Sequence, residues 1–283
     1  MNPRIYLNGK IVEANKACVP ASNPSLLHGV GLFETLRVYD GRAFALERHV
    51  ERLKASAGKL NMPVLEQIER VPDAVEQVVE ANRLRNARVR FTVTPPGQME
   101  PADEPTLLVA GQETAGYPQE LYERGMTVYV CTDYRQSRQD PLAGHKTTSY
   151  FSRLLVLRDG QDRACGESLW FTPENYLAEG CISNVFVVKD GRLLTPPLDT
   201  PVLPGITRAI VLELAGRAGI SFEERPCTIN DLLEADEAFL TNAIMEIMPV
   251  TQVEKKGIGA EKPGATTKQL AEAYREMTAG SGS

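Results

Sequence analysis

Short β-rich runs meet at an Asn-Gly or Asp-Gly pair three times in this chain. IYLNGKIVEA contains Asn8-Gly9, LFETLRVYDGRAFAL contains Asp40-Gly41, and NVFVVKDGRLLTPP contains Asp190-Gly191. These dipeptides are the strongest local signal for a hairpin, because a tight turn between antiparallel strands needs a positive φ at both central positions. The sequence therefore predicts antiparallel strand pairs in both halves of the chain.

Helical periodicity alternates with these strands. In LERHVERLKASAGKL, the residues Leu46, Val50, Leu53 and Ala57 fall on one face of a helix. The same pattern predicts further helices in VPDAVEQVVEANRL, SYFSRLLVLRDGQDRA, ITRAIVLELAGRAGI and TTKQLAEAYREMTA. The fold is therefore predicted to mix helices and strands.

The strands predict an antiparallel sheet in the first half and a second β-rich block after it. ARVRFTVTP alternates strictly, with Val89, Phe91 and Val93 on one face and polar residues on the other. DLLEADEAFLTNAIMEIMPV predicts a short helix followed by one strand. GQETAGYPQE is rich in Gly and polar residues and predicts a linker. We expect an α+β fold with a small domain at residues 1–114, a linker at 115–124 and a large domain at 125–283.

Composition excludes several classes of function. The 283 residues are 42% apolar and 24% charged, with a net charge of −6 and scattered basic residues, which argues against a nucleic-acid partner. No apolar run is long enough for a membrane span, and MNPRIYLNGK does not resemble a signal peptide. The five cysteines show no CxxC spacing, and the three histidines form no HExxH, so we expect a cytoplasmic protein without a metal site.

Lys146 is the first candidate for chemistry. It lies in PLAGHKTTSY, between a polar stretch and the apolar run FSRLLVL. A lysine is most often a solvated surface charge. A buried lysine, in contrast, is costly and is typically kept for nucleophilic or Schiff-base chemistry.

Three other stretches offer groups that a phosphorylated, aromatic aldehyde cofactor would need. Gly205 and Thr207 lie at the start of the helix ITRAIVLELA, where backbone N–H groups and a hydroxyl can form an anion site. The alternative is that Thr207 is only the N-cap of this helix and Gly205 a turn residue. Glu179 precedes a buried strand, where a carboxylate needs a partner such as a protonated ring nitrogen. The alternative is that Glu179 is an ordinary turn residue at the end of a strand. Arg52 or Arg48, one helical turn apart, could donate charge-assisted hydrogen bonds to a phosphate. The alternative is that both lie on a solvated helix face.

Together these motifs resemble the class IV pyridoxal-phosphate aminotransferases. This group contains branched-chain aminotransferases, D-amino-acid aminotransferases and aminodeoxychorismate lyases. The resemblance runs through IYLNGKIV, HGVGLFETLRV, RHVERL, GHKTTSY, AEGCISNVFVVKDG, LPGITR and TNAIMEIMPV, so it covers nearly the whole chain. It implies the fold-type IV architecture, with a small N-terminal domain, a larger C-terminal domain with a β-barrel-like core and flanking helices, and a homodimer with active sites near the interface.

The resemblance also implies a cofactor, pyridoxal 5'-phosphate, and roles for individual residues. Lys146 matches the Schiff-base lysine, which holds the cofactor as an internal aldimine, and Glu179 matches the partner of the pyridine nitrogen. Further positions match cofactor-binding residues of the family: Arg52, Tyr150, Leu203, Gly205, Ile206, Thr207, Asn242 and Ala243. Branched-chain members often have a threonine where Ala243 stands.

The substrate carboxylate needs a cation. Arg88 and Arg90 lie two residues apart on the polar face of ARVRFTVT. Either both are surface residues in contact with solvent, or one of them binds the carboxylate, and Arg90 is then the favoured residue. In the family, the loop carrying His28 and Phe33 also borders the substrate. His145 is expected to pack or to form hydrogen bonds rather than to catalyse.

The motifs favour one branch of the family for the substrate. AEGCISNVF and TNAIMEIMPV resemble the D-amino-acid aminotransferases and the lyases more than the branched-chain enzymes. The strand that ends in TPPGQMEP lacks the Arg-Gly run of the usual D-amino-acid enzymes. We therefore expect a ping-pong transaminase acting on D-amino acids and 2-keto acids, with aminodeoxychorismate lyase second and branched-chain L-amino acid transamination third. The presence of both Lys146 and Glu179 argues against a non-catalytic cofactor carrier.

Overall fold

The computed structural model describes residues 2–97 and 104–280. Two compact units divide the chain, and the first comprises Met1–Ala115, His145–Tyr150 and Thr278–Ser283. The second comprises Gly116–Gly144 and Phe151–Met277. Each predicted domain is one continuous stretch of the chain. In the structure, by contrast, residues 145–150 belong to the first unit although they lie within the predicted large domain.

The described part of the first unit contains a six-stranded antiparallel sheet. Its order is β2-β1-β6-β5-β3-β4. The strands are β1 (Arg4–Leu7), β2 (Lys10–Glu13), β3 (Leu32–Tyr39), β4 (Arg42–Ala43), β5 (Ala87–Thr94) and β6 (Thr106–Glu113). The stretch after β5, TPPGQMEP, extends into residues 98–103, which lie outside the described residues.

Helices cover one face of this sheet. They are α2 (Leu46–Lys59), α3 (Leu65–Glu69) and α4 (Val71–Asn82), while α1 (Pro24–His28) precedes β3 and Ala14–Lys16 form a single 3₁₀ turn. Val89, Phe91 and Val93 of β5 are fully buried in the core beneath α2 and α4. Arg88 and Arg90 point to the opposite face, as the alternating pattern predicted. The sheet therefore has an apolar face under the helices and a charged face away from them.

In the described part of the second unit, a ten-stranded mixed sheet follows the order β12-β11-β10-β14-β15-β7-β8-β9-β13, with β16 paired to β15. The strands are β7 (Met126–Arg135), β8 (Glu167–Phe171), β9 (Tyr176–Gly180), β10 (Asn184–Lys189), β11 (Arg192–Thr195), β12 (Phe222–Glu224), β13 (Cys227–Thr228), β14 (Glu237–Asn242), β15 (Glu246–Val253) and β16 (Lys256–Gly257). β9 and β10 lie far apart in this order but contact each other, so the sheet curls.

The helices of the second unit connect and cover these strands. They are α5 (Gln119–Arg124), α6 (Phe151–Gln161), α7 (Ile206–Arg217), α8 (Ile229–Leu233) and α9 (Ala265–Gly280). α5 lies within the segment that was predicted as a linker. The single strand predicted in EAFLTNAIMEIMPV is instead two antiparallel strands, β14 and β15, because Asn242 turns the chain between them.

All three predicted hairpin turns are confirmed. Asn8 and Gly9 have φ values of 46° and 91°, and Asp190 and Gly191 have φ values of 50° and 72°. Asp40 and Gly41 behave in the same way, with φ values of 46° and 82°. Positive φ at both positions matches the twist of the flanking strands, so these turns fix the register of β1 with β2 and of β10 with β11.

Candidate active site

Lys146 is held by backbone hydrogen bonds to the start of β3. Its carbonyl accepts the N–H of Phe33 at 2.9 Å, and the Thr148 N–H donates to the Gly31 carbonyl at 2.9 Å. The Thr148 hydroxyl also donates to the Gly29 carbonyl at 2.7 Å. The segment 146–148 therefore behaves as a short extra strand beside β3, which fixes the backbone of the lysine.

The Lys146 side chain lies in a cluster of aromatic rings in the first unit. Its Nζ is 4.6 Å from the ring centroid of Phe33 and 5.5 Å from that of Tyr150. These two rings meet edge to face at 5.3 Å. The guanidinium of Arg90 also stacks on the ring of Phe33, with its Cζ 3.6 Å from the ring centroid. We call Lys146, Phe33, Tyr150 and Arg90 the lysine cluster.

Lys146 is half-buried, so it lies between the two alternatives that the sequence offered. The rings of Phe33 and Tyr150 place the amine against aromatic surface. The cluster thus combines a potential nucleophile with an aromatic wall and a cation.

Two of the predicted substrate residues lie apart from these contacts. Arg88 is exposed and donates to Gln112 at 3.4 Å. His28 is exposed at the end of α1. Their assignment to the substrate stays a prediction. His145 forms a hydrogen bond through Nδ1 with the Ser56 hydroxyl at 2.9 Å, in line with the hydrogen-bonding role expected for it.

Arg52 is anchored by a carboxylate that the sequence did not indicate. Its Nε and a terminal nitrogen donate to the two oxygens of Glu34 at 2.7 and 2.6 Å. His49 Nδ1 lies 2.8 Å from the same carboxylate, and because a carboxylate only accepts, this nitrogen carries the hydrogen. Arg48, in contrast, is exposed.

The ion pair overcomes the cost of burying Glu34. Burial alone would raise the pKa of this carboxyl group, but Arg52 and His49 lower it to about 2. Burial lowers the pKa of His49, so its imidazole is neutral near pH 7. Glu34 is therefore ionised and holds Arg52 in a fixed orientation.

Glu179 is a buried carboxylate at the centre of the second unit's candidate residues. It lies in β9 with 2% of its surface exposed. One oxygen accepts from Arg153 at 2.6 Å and from Gln136 at 3.2 Å. The other accepts from the Leu203 N–H at 2.8 Å and from Asn184 at 3.3 Å. These donors, one of them a cation, satisfy the carboxylate in its ionised form.

The start of α7 lies close to these residues. Asn184 donates to the Leu203 carbonyl at 2.9 Å, and two residues later Gly205 caps the helix. A Cβ on Gly205 would overlap with Asn184 Oδ1, so only glycine allows this approach. The N–H groups of Ile206 and Thr207 have no partner within the helix and are available to an anion. The alternative that Thr207 is the N-cap is wrong, because the cap is Gly205 and Thr207 is the second helical residue.

Asn242 organises the turn between β14 and β15. Its Oδ1 accepts the N–H groups of Ile244 and Met245 at 2.8 Å, and its Nδ2 donates to the Ile182 carbonyl at 3.0 Å. Ala243 lies in this turn and can offer only its backbone. The neighbouring Thr241 hydroxyl is buried and has no hydrogen-bond partner among the described residues, so a polar donor or acceptor remains available beside the turn.

Other site types find no support in the described residues. No group of three or more His, Cys, Asp or Glu side chains there is placed to hold a metal ion. Among the same residues, no helix has the length and apolar character of a membrane span. A cavity of about 610 Å³ in the second unit lies beside Arg124, Cys165 and Gln252, away from the predicted site residues.

Several side chains at the site were missed by the sequence analysis. Glu34, Gln136, Arg153 and Asn184 each contact a predicted residue, and only Asn184 lies close to its partner, Glu179, along the chain. Asn184 had the best available signal, because it lies in the motif AEGCISNVF. Arg153 had no signal beyond its place in the predicted helix SYFSRLLVLRDGQDRA.

Comparison with known proteins identifies the family. Residues 31–253 match the family model described as amino-transferase class IV. A putative branched-chain-amino-acid aminotransferase of Methanocaldococcus jannaschii is 33% identical over 280 residues, covering 97% of this chain and 96% of the relative. The aminodeoxychorismate lyase of Bacillus subtilis is 28% identical over 93% of this chain and 91% of its own length. A D-alanine aminotransferase of Staphylococcus haemolyticus is 26% identical over 96% and 97%.

The fold has solved counterparts. The branched-chain amino acid aminotransferase of Escherichia coli aligns with a TM-score of 0.88 at 27% identity, covering 98% of this chain and 95% of that one. A second branched-chain amino acid aminotransferase, solved with pyridoxamine 5'-phosphate, aligns with a TM-score of 0.92 at 26% identity, over 99% and 95%. The predicted fold-type IV architecture and cofactor are thereby confirmed. The protein belongs to the class IV aminotransferases and is a transaminase that depends on pyridoxal 5'-phosphate.

Proposed function

We propose that the protein transfers amino groups between branched-chain L-amino acids and 2-keto acids. The lysine cluster carries this proposal, because Phe33 and Tyr150 beside the Lys146 amine suit an apolar side chain, and Arg90 suits a carboxylate. The name of the 33% identical relative supports the same substrate class. The proposal departs from the sequence-based preference for D-amino acids.

When bound, pyridoxal 5'-phosphate supplies the aldehyde that accepts the amino group and the ring that delocalises electrons from the substrate α-carbon. We assign to Lys146 the covalent attachment of this aldehyde. When it is not attached to the cofactor, the same amine would act as the base that moves the proton at the substrate α-carbon. The hydrogen bonds of the 146–148 segment to β3 hold the amine in place for both tasks.

We assign residues to the remaining groups of the cofactor as the family resemblance implies. The Glu179 carboxylate would hold the proton at the pyridine nitrogen, because a buried carboxylate stabilises a buried cation. From the family resemblance, Arg52 and the first N–H groups of α7, at Ile206 and Thr207, would bind the phosphate. Leu203 would pack on the ring face, and the backbone of Ala243 would add a further phosphate donor.

Borohydride reduction tests the role of Lys146. We expect the reduced holoenzyme to carry the cofactor on the peptide that contains Lys146. The Lys146→Ala variant should carry none and should lose activity. Lys59→Ala removes an exposed lysine from the same unit and should retain both the adduct and the activity. A cofactor found on another lysine would refute the assignment.

Half-reactions with single amino donors test the substrate class. We expect L-leucine to convert the bound cofactor to its amine form, seen as loss of the visible absorption band. Conversion by D-alanine alone would favour the second candidate, a D-amino-acid transaminase, which the motif AEGCISNVF and Ala243 support. Release of pyruvate and p-aminobenzoate from aminodeoxychorismate, with the band unchanged at steady state, would identify a lyase.

A further inference from the structure

A second buried carboxylate of the second unit, that of Glu167, organises the loop that follows Glu179. Glu167 begins β8 and is fully buried. Its oxygens accept the backbone N–H groups of Ser168 at 2.9 Å, Cys181 at 3.1 Å and Ile182 at 3.2 Å, and the Ser183 hydroxyl at 2.8 Å. The donors on Cys181, Ile182 and Ser183 come from one short segment between β9 and β10, which we call the 181–183 loop.

Arg153 contacts the same region by donating to backbone carbonyl groups there. One terminal nitrogen donates to the carbonyls of Gly180 and Cys181 at 3.4 and 3.1 Å. The other forms the 2.6 Å ion pair with Glu179. The N–H groups of the loop therefore contact an anion, Glu167, while carbonyls beside them contact a cation. This arrangement leaves the loop few alternative conformations.

The 181–183 loop connects the groups proposed to hold the cofactor. Glu179 lies two residues before it, and Asn184, which contacts Glu179, follows it directly. The Ile182 carbonyl accepts from Asn242, whose side chain caps the turn between β14 and β15. A displacement of the loop would therefore be transmitted to Glu179 and to that turn.

The packing around Glu167 leaves no room for adjustment. A Cβ on Gly180 would overlap with the Ser183 hydroxyl and would lie 2.9 Å from the Glu167 carboxyl group. Burial raises the pKa of Glu167 to about 6 despite its four hydrogen bonds, so the ionised form is costly. An ionised carboxylate at this position has an energetic cost, although it takes no part in the proposed mechanism.

We propose that Glu167 is a positioning residue that acts through Glu179. Its carboxylate fixes the 181–183 loop, and the loop keeps the Glu179 carboxylate directed at the pyridine nitrogen of the bound cofactor. This inference rests on the role proposed above for Glu179.

Replacement of Glu167 by its neutral analogue tests the inference. In Glu167→Gln, an amide NH₂ replaces one acceptor oxygen and faces N–H groups. We expect the cofactor to bind about tenfold more weakly, which corresponds to the loss of one hydrogen bond to a charged group. The absorption of the bound cofactor should also change its dependence on pH, because the proton at the ring nitrogen is held less firmly.

Glu237→Gln is the matched control. Glu237 accepts the N–H groups of Thr266 and Thr267 and the Thr267 hydroxyl at 2.7–3.0 Å, at the start of α9. Its loss should lower the melting temperature but leave cofactor affinity and spectrum unchanged. If Glu167→Gln behaves in the same way as this control, the inference is overturned.

A double substitution separates action through Glu179 from a general structural effect. In a Glu179→Gln background, Glu167→Gln should produce little further change in affinity or spectrum, and additive effects would overturn the inference. If Glu179→Gln alone leaves the holoenzyme unchanged, the proposed role of Glu179 fails and the inference fails with it. If the Glu179 variant changes and the Glu167 variant does not, only the inference fails.

A milder variant covers the case in which Glu167→Gln does not fold. Ser183→Ala removes one of the four donors while keeping the carboxylate. We expect the same direction of change in cofactor affinity and spectrum, at a smaller magnitude. A folded Ser183→Ala holoenzyme with wild-type affinity and spectrum would overturn the inference.

Discussion

Glu34 and Glu167 are buried carboxylates whose partners give them opposite responses to pH. Arg52 and His49 lower the pKa of Glu34 to about 2, whereas burial with only neutral donors raises that of Glu167 to about 6. Relative to the unfolded chain, folding therefore stabilises the ionised form of Glu34 and makes the ionised form of Glu167 more costly. The chemical nature of the partner, rather than the depth of burial, decides which form the protein stabilises.

Glu34 should make the stability of the folded protein depend on pH. Its pKa lies below the usual 4.5, so its contribution to stability is full above pH 4.5 and is lost as the pH falls towards 2. We expect Glu34→Gln to lower the free energy of unfolding at pH 7 by roughly 3 kcal/mol. The difference from wild type should shrink as the pH falls from 4.5 to 2, measured by urea denaturation at several pH values.

The exposed Glu51 on the same helix as Arg52 provides the control. Glu51→Gln should change stability by no more than about 0.5 kcal/mol across the same pH range. A Glu34 variant whose deficit stays constant down to pH 2 would contradict the ion-pair explanation. Such a result would indicate that the packing of the side chain, and not its charge, stabilises the fold.

At the scale of secondary structure, the sequence predicted those elements whose signals are local. The hairpin turns at Asn8-Gly9 and Asp190-Gly191 were found because the two turn residues alone determine the backbone, and α2 was found from its apolar face. The pairing of the 146–148 segment with β3 was not predicted, because it joins residues more than a hundred positions apart. For the same reason Arg153 was not recognised as a partner of Glu179, which lies far from it along the chain. Motif resemblance named the site residues, but only the structure identified the groups that hold them.

The pairing of the 146–148 segment with β3 leads to a test at this scale. Thr148→Val keeps the shape of the side chain but removes the 2.7 Å hydrogen bond to Gly29. We expect faster hydrogen exchange at the Phe33 and Thr148 amides and slower attachment of the cofactor to Lys146, since the segment opens more often. Thr132→Val, which removes an exposed hydroxyl in β7, should leave both rates unchanged. Unchanged exchange in Thr148→Val would show that the backbone bonds alone hold the lysine.

At the scale of the whole molecule, α6 presents apolar side chains to solvent. Phe151 is 78% exposed, and Leu154 and Leu155, one turn further on, are 52% and 37% exposed. These three positions share one face of the helix. Contiguous apolar surface of this kind is typical of an interface, and it supports the homodimer expected from the family resemblance.

We therefore expect the protein to sediment at twice its chain mass of 31.1 kDa. Phe151→Asp should shift the equilibrium towards the monomer, because a charge at a desolvated apolar contact is costly. Phe222→Asp, which changes another exposed phenylalanine of the second unit, should leave the mass unchanged. A wild-type protein that sediments as a monomer at micromolar concentration would contradict the prediction.

The grouping of residues 145–150 with the first unit has a consequence for synthesis on the ribosome. When residue 115 emerges, the six strands of the first sheet are all present, but the segment that pairs with Phe33 is not. Domains usually begin to fold in order of their synthesis, the N-terminal one first. The first unit can therefore acquire its sheet early, but it remains without its nucleophile until some thirty further residues have been translated. A nascent chain that stalls before Lys146 has an assembled scaffold and no means of capturing the cofactor.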